Sequence, residues 1–299
     1  MSTKTGILCI GEILWDALPS ALYLGGAPLN VCYHLNRFGI NASIASRVGR
    51  DRLGSEAINR IRRKGIPVDQ IQEDNDYETG FVCVKLSTSG DPTYNIIEPV
   101  AWDYIRLTQS LKNKAQQCWG LVFGSLAQRN DVSRHTIQQL WEFDVKKILD
   151  MNLRTPFVDK SIIYDSLSVS DIVKMNEDEL NQLSDWYGFS ADTPKAVEQV
   201  ARKFDCRLVC VTRGADGAML YREGEWYEHK GFPVKAKDAV GAGDAFLAAL
   251  LHGIKNNKKS SELLPFANAT GALVAQKDGA TPAYSIQDIL VELEETGRE

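Results

Sequence analysis

Short apolar runs rich in β-formers alternate with helical stretches along this chain. Residues 6–10 read as a strand, 28–38 as a helix, 42–48 as a strand and 55–64 as a helix, a βαβα order. Further on, buried-strand runs at 120–123, 147–150, 172–174 and 208–212 are separated by mixed polar and apolar segments of helical length. Such alternation predicts an α/β fold with a mostly parallel sheet covered by helices on both faces, and functional sites at the carboxyl ends of the strands. One region breaks the rhythm. Residues 79–87 and 93–97 read as antiparallel strands turning around 89–92, with no helix between them. Together with 13–24 they would form a small sheet standing off the main body, suited to be a lid or an interface between copies. There is no internal repeat, low-complexity tract or Pro/Gly-rich linker. The expectation is one domain over 1–299, with lid segments at about 12–25 and 78–100 inserted in it.

Composition narrows the function classes. The 299 residues carry 34 Lys and Arg against 39 Asp and Glu, a net charge of −5, and 44% are hydrophobic. Disorder is excluded, and the balance argues against nucleic-acid and membrane-surface partners. The basic stretch Arg50, Arg52, Arg60, Arg62, Arg63 and Lys64 is interrupted by Asp51 and Glu56 and reads as a solvated helix face. Six scattered cysteines show no zinc-ligand spacing and read as buried thiols in a reducing cell. With no apolar h-region near Met1 and no bilayer-length apolar run, the expected location is the cytoplasm. The two sequons, at Asn41 and Asn268, are then chance matches.

The candidate chemistry is concentrated in two places. The first is DAVGAGDAF, residues 238–246, running straight into an apolar helix. Gly241 and Gly243 leave backbone amides bare, and a helix start points unpaired N–H groups and the positive dipole end at one spot. The amides of Ala242, Gly243 and Asp244 would there cradle a phosphate or the charge that develops in phosphoryl transfer. A carboxylate beside an anion hole needs a task; for Asp244 that task would be taking the proton of an attacking hydroxyl. In isolation, Asp244 could equally be an ordinary first-turn acid. No GxxxxGK[ST] loop is present, and Phe246 stands where GxGxxG needs its last glycine.

The second place is GGAPLN, residues 25–30, with Pro28 suited to a helix's first turn and Gly39 to its end. Asn30 then lies one turn in, where its amide could bond sugar hydroxyls, while Gly25 and Gly26 would let a ligand approach the backbone. Asp16, just after the first strand, would accept from two hydroxyls. Each alternatively satisfies a neighbouring turn or loop.

This pair of signatures resembles those of the ribokinase-like (PfkB) carbohydrate kinase family, its fructokinases most of all. Intermediate landmarks fall in order along the whole chain: GEILWD (11–16), VGRDRLG (48–54), GSLAQRN (124–130), DMNLR (150–154), KMNEDEL (174–180), VTRGADG (211–217) and KDGATPA (277–283). The resemblance implies a three-layer α/β/α sandwich with a small β-sheet lid, and transfer of the γ-phosphoryl group of ATP, with Mg²⁺, to a sugar hydroxyl. It makes Asp244 the catalytic base, with Gly241, Ala242 and Gly243 around the transferred group. It puts the sugar on Asp16, Gly25, Gly26 and Asn30. Asn152 and Arg154 would face the reaction centre, Gln128 and Arg129 would touch the acceptor, and Trp15 or Trp102 would cover it. Asn176 and Glu179 match an NxxE motif that supports phosphate and, through water, Mg²⁺; their spacing would put both on one helix face. Thr212, Gly214 and Gly217 would border the nucleotide's phosphates and ribose, and Asn268 its adenine.

Two positions depart from the family pattern. Ala239 stands where threonine is usual, and Ala283 lacks the hydroxyl found near the family's monovalent-cation site, which argues against K⁺ activation. Fructose is the first acceptor expected, before 2-keto-3-deoxygluconate, ribose or a nucleoside. A non-catalytic sugar-binding regulator and a nicotinamide-dependent dehydrogenase are the readings from other classes. A homodimer through the lid is expected from its strand edge.

Overall fold

The run Ile7, Leu8, Cys9, Ile10 has no solvent exposure on either side, the signature of a strand in the middle of a covered sheet. In the computed structural model, which describes residues 4–18, 21–86 and 92–296, this run is β1 (Gly6–Ile10). A 9-stranded sheet is built around it. In chain order there follow β2 (Leu14–Leu18), β3 (Ala21–Gly25), α1 (Ala27–Arg37), β4 (Ala42–Gly49), α2 (Arg52–Arg63), β5 (Ile71–Asp74), β6 (Gly80–Leu86) and β7 (Pro92–Ile96). The central part holds α3 (Gln109–Gln117), β8 (Cys118–Gly124), α4 (Asp131–Trp141), β9 (Lys146–Asp150), α5 (Lys160–Val169), β10 (Ile172–Asn176), α6 (Glu177–Tyr187) and α7 (Thr193–Phe204). The chain ends with β11 (Leu208–Thr212), β12 (Ala218–Arg222), β13 (Glu225–His229), α8 (Ala242–Lys255), α9 (Ser260–Ala275) and α10 (Ile286–Thr296).

The large sheet has the order β13-β12-β11-β10-β9-β8-β1-β4-β5 and is parallel from β5 to β11, with β12 and β13 antiparallel at one edge. Alternate side chains of one strand enter opposite cores. Ile7 and Cys9 pack with Val31 and Leu35 of α1 and Leu247 and Leu251 of α8. Leu8 and Ile10 pack with Leu111, Ile137, Ile163 and Leu183 from α3 to α6. The sequence reading omits β5, β12 and β13. IQED and EWYEH, at the two edges of the sheet, are polar or mixed and lack the unbroken apolar run of the interior strands, whereas AMLYR in β12 is such a run, buried at Ala218 to Leu220, that the sequence reading left unassigned.

A separate 4-stranded sheet has the order β3-β2-β6-β7. Here β6 and β7 are the expected hairpin; the greater part of its turn, residues 87–91, lies outside the described residues. β2 pairs with β6 in parallel and with β3 antiparallel, so Leu14–Leu18 and Ala21–Gly25 are stitched to the hairpin. Among the described residues, no helix is long and apolar enough to cross a membrane.

Candidate active site

The N-terminus of α8 is made possible by Gly241. Its φ of 79° is left-handed, and a Cβ there would lie 2.5 Å from Ala280 Cα. Regular i→i−4 pairing begins when Ala245 N–H donates to Gly241 O at 2.9 Å. The amides of Gly243 and Asp244 precede that point, in the turn that has no intrahelical partners. Ala242 N–H leans back on Ala239 O at 3.3 Å, so it is less available than the sequence suggests.

Asp244 is held by the other signature. Asn30 Nδ2 donates to Asp244 Oδ2 at 2.8 Å across 214 residues of sequence. Asn30 is 5% exposed, and its own N–H begins the helical pairing of α1 by donating to Gly26 O at 2.9 Å. Gly26, with φ of 118°, has Glu12 O where its Cβ would be, only 2.2 Å away; its missing side chain serves this close crossing of two backbones rather than access for a ligand. Gly25 abuts Asp16, whose Oδ2 would lie 2.9 Å from a Cβ there.

Four carboxyl groups sit near this junction with two cations. Burial, and then the charge of Asp150, push Asp244 up to about 6, against Lys174, Asn30 and Arg154. Burial raises Asp16 to about 6, opposed by Arg154. Burial raises Glu12 to about 7; its Oε1 accepts from Ala27 N–H at 3.2 Å, and Arg154 opposes the rise. The charge of Arg154 lowers all three, although the residue is exposed and its guanidinium donates to Leu153 O at 3.0 Å. Asn152 turns the chain with φ of 42°. It lines a small cavity with Glu12, Pro28, Val31, Ser125 and Asp150.

Asn176 and Glu179 are not on one helix face. Asn176 is the N-cap of α6, accepting from Glu179 N–H at 2.8 Å, and Glu179 returns the bond by accepting Asn176 N–H at 2.8 Å, a capping box. The second oxygen of Glu179 accepts Leu153 N–H at 2.7 Å, tying α6 to the loop that carries Arg154. Among the described residues no group of three or more His, Cys, Asp or Glu could hold a metal ion.

Thr212 closes β11, its hydroxyl donating to Met175 O at 3.4 Å. Gly214 and Gly217 form the tight turn into β12, and a Cβ on Gly217 would lie 2.0 Å from His229 O and 2.3 Å from Gly231 N. Asn268 on α9 shares a hydrogen bond of 3.2 Å with His229 Nδ1. One turn further along α9, Gly271 abuts Ala242 O, so this cluster adjoins the start of α8.

The loop after α9 is strapped to α1 and α2. His34, with no solvent exposure and lowered to about 4 by burial, is neutral. Its ring lies 2.9 Å from Ala280 O and 2.7 Å from Tyr284 Oη, which fits an Nε2–H donating to the carbonyl and Nδ1 accepting from the phenol. Lys64 donates to Thr281 O at 3.1 Å and Tyr33 to Pro282 O at 2.8 Å, while Arg37 holds Tyr284 O. Asp238 bridges the same loop by accepting Val240 N–H at 3.0 Å and Gly279 N–H at 3.1 Å.

Four expected acceptor contacts are committed elsewhere. Gln128 is fully buried and donates inward to Gly124 O at 2.9 Å and Ser166 Oγ at 3.0 Å. Arg129 is paired with Asp103 at 2.7 Å and sandwiched between Trp102 and Phe157. Trp102 has no solvent exposure, and Trp15, 1% exposed, donates to Leu53 O at 3.1 Å. These aromatics serve packing, the commoner role for a buried ring.

A family model described as the pfkB family carbohydrate kinase matches residues 20–287. The chain belongs to this family. It is an ATP-dependent sugar kinase. Over 307 residues it is 26% identical to a fructokinase of Salmonella typhimurium, covering 96% of this chain and 98% of that protein. A fructokinase of Xylella fastidiosa solved with bound ATP superposes with a TM-score of 0.86 at 23% identity, covering 99% of this chain and 100% of the other. A fructokinase of Vibrio cholerae O395 with fructose, ADP and calcium ion bound gives 0.81 at 23% identity, covering 97% and 99%. The kinase therefore has the ribokinase-like fold expected from its sequence.

The kinase also holds polar residues that sequence reasoning passed over: Glu12, Asp150, Lys174 and His229. The first three were visible as charged residues in or beside strongly apolar strand runs: Asp150 ends β9, Lys174 interrupts β10 and Glu12 follows β1 by two residues. His229 carried no such signal, because its edge strand is polar throughout.

Proposed function

We propose that this kinase transfers the γ-phosphoryl group of ATP to a hydroxyl of fructose, with Asp244 as the base. The observation that carries the reading is the Asp244 carboxylate, half-buried on the first turn of α8 and aimed by Asn30 at 2.8 Å. A carboxylate raised to about 6 is ionised at neutral pH yet basic enough to take a hydroxyl proton as the bond to phosphorus forms. The amides of Gly243 and Asp244 would meet the charge on the moving phosphoryl group, with Ala242 and the Gly241 turn shaping the cradle. Asp16, Gly25 and Asn30 would hold the sugar, Gly26 serving only the backbone crossing that starts α1, and Thr212, Gly214, Gly217 and Asn268 would hold the nucleotide. Mg²⁺ carried by the nucleotide would neutralise phosphate charge, with Glu179 as its water-mediated support.

The acceptor class follows from charge. Glu12, Asp16 and Asp244 face a single guanidinium, Arg154, so the acceptor side is net negative once ionised. Such a site favours a neutral polyol and disfavours sugar acids and sugar phosphates. Fructose is preferred among neutral sugars because fructokinases recur among the relatives. We infer further that turnover needs no K⁺. The carbonyls of Ala280, Thr281, Pro282 and Tyr284 accept from His34, Lys64, Tyr33 and Arg37 in that order, and the charges of Lys64 and Arg37 beside them oppose a further cation. A dimer through the lid would use the edge strand β3, where Leu22 and Tyr23 are exposed. Free cysteines and the need for ATP suit the cytoplasm.

The test is ADP release with MgATP over neutral sugars, sugar acids, sugar phosphates and nucleosides, with and without K⁺. The expected result is turnover highest on fructose and unchanged by K⁺. Preference for 2-keto-3-deoxygluconate or a sugar phosphate would overturn the charge argument, and sugar binding without ADP release would make the chain a sensor.

A further inference from the structure

Asp150 is the last residue of β9, and Lys174, the middle residue of the neighbouring parallel strand β10, is paired with it in register. Both are buried, at 7% and 3% exposure, and Lys174 Nζ donates to Asp150 Oδ1 at 3.0 Å. Asp150 Oδ2 is buried with no hydrogen-bond partner. A pair placed so deep costs about as much in desolvation as its attraction returns, and two apolar residues would serve the fold as well. Its location supplies another reason for it. A Cβ on Gly243 would lie 3.1 Å from Lys174 Nζ, so the ammonium sits under the first turn of α8, one residue from Asp244.

We propose that the Asp150–Lys174 pair is a positioning device for the base, an opposed couple of charges under the α8 turn that sets the pH at which the Asp244 carboxylate is ready to accept a proton. This rests on Asp244 being the base. The other groups facing Asp244 are the Asn30 amide from α1, Arg154 from the loop after β9 and Glu12 from the turn after β1. Glu179 of α6 faces Lys174. Burial works against the charge of Lys174, but Asp150, Glu179 and Asp244 more than offset it, so it remains an ammonium. Asp150 and Lys174 act on Asp244 with opposite sign, the first raising it and the second lowering it.

The experiment removes the two charges in order. Asp150→Asn keeps an oxygen for Lys174 to bond, and Lys174→Gln is then added in that background, so that Asp150 is never left as a buried carboxylate without its cation. The Asp244 carboxyl is titrated by ¹³C NMR in the unliganded protein, assigned by its loss in Asp244→Asn, and the acid limb of kcat/KM for the sugar is measured beside it. The expected result is a midpoint lowered by about half to one pH unit in Asp150→Asn and raised again by a similar amount in the double variant. Asp150→Ser should shift the same way as Asp150→Asn, which guards against one variant folding poorly. A structural role alone would lower turnover and melting temperature while leaving the midpoint in place, and that result, or a rise in Asp150→Asn, would overturn the proposal. Full activity in Asp244→Asn would instead remove the base assignment; the NMR midpoint would still judge the pair.

Discussion

On one side of the first turn of α8 the groups that converge are side chains that gain and lose protons: Glu12, Asp16 and Asp244 around Arg154, with Asp150 and Lys174 beneath. On the side of β11 and α9 they are backbone turns at Gly214 and Gly217 and a neutral Asn268–His229 contact. The first side is controlled by charge, the second by shape. Perturbations should therefore separate them: pH and isosteric removal of charge act on the first, added carbon atoms on the second.

The largest effect is expected on the charged side. Asp244→Asn should lower kcat by roughly 10²–10⁴-fold with KM for the sugar changed far less, since the amide can still bond Asn30 but accepts no proton. In the unaltered kinase, kcat/KM for the sugar should fall about tenfold per pH unit below about 6, where Asp244 holds its proton. Steady-state kinetics over pH 5–8 checks both. Unchanged turnover in the variant would remove the distinction between the two sides at its source.

The reverse case is Gly217→Ala. Its Cβ would meet His229 O at 2.0 Å and Gly231 N at 2.3 Å, backbone atoms that no rotamer change can move, and φ is 79° there. The turn must shift, so KM for ATP should rise about tenfold or more, with about 1–3 kcal/mol of stability lost and a pH profile of unchanged shape. A changed acid limb would show that the two sides are not independent.

How much of this was legible depended on the kind of residue. The parallel sheet and its helices followed from unbroken apolar runs such as 6–10 and 208–212, and the Asp244 and Asn30 signatures could be placed because glycine and proline mark helix starts. What remained hidden was side-chain direction. Gln128 and Arg129 sit in a loop at a strand's carboxyl end, as site residues do, yet Gln128 turns under the loop to Ser166 and Arg129 back to Asp103. Asn176 and Glu179 have the spacing of helix neighbours, but a helix that starts one residue later turns that spacing into a capping box. Asp150 and Lys174 are 24 residues apart, and only strand register brings them together.

Stability should report the charged side in a further way. Glu12 is raised by burial to about 7, above its ordinary value of 4.5, so the folded protein binds that proton more tightly than the unfolded chain. Stability from this group is present at low pH and is lost as pH rises from about 4.5 through about 7. Glu12→Gln keeps an oxygen for Ala27 N–H and removes the charge. It should melt higher than the unaltered kinase at pH 8, by up to about 3 kcal/mol at the upper limit of the shift, and the difference should vanish near pH 5. Equal melting temperatures at both pH values would show that Glu12 is better solvated than its position implies.

The smallest effect belongs to the neutral contact. Asn268 bonds His229, whose ring is kept neutral by partial burial and the neighbouring Lys230, and whose Nδ1 also accepts Gly231 N–H at 3.1 Å. Asn268→Ala removes one neutral hydrogen bond and leaves the other, a loss of about 0.5–1.5 kcal/mol. If that contact shapes the nucleotide side, KM for ATP should rise by about threefold to tenfold while KM for the sugar and the acid limb stay where they were. Titration calorimetry with a non-hydrolysable ATP analogue would read the same loss without catalysis. An effect confined to the sugar would place Asn268 on the wrong side of α8, and the division between charge and shape would have to be redrawn around it.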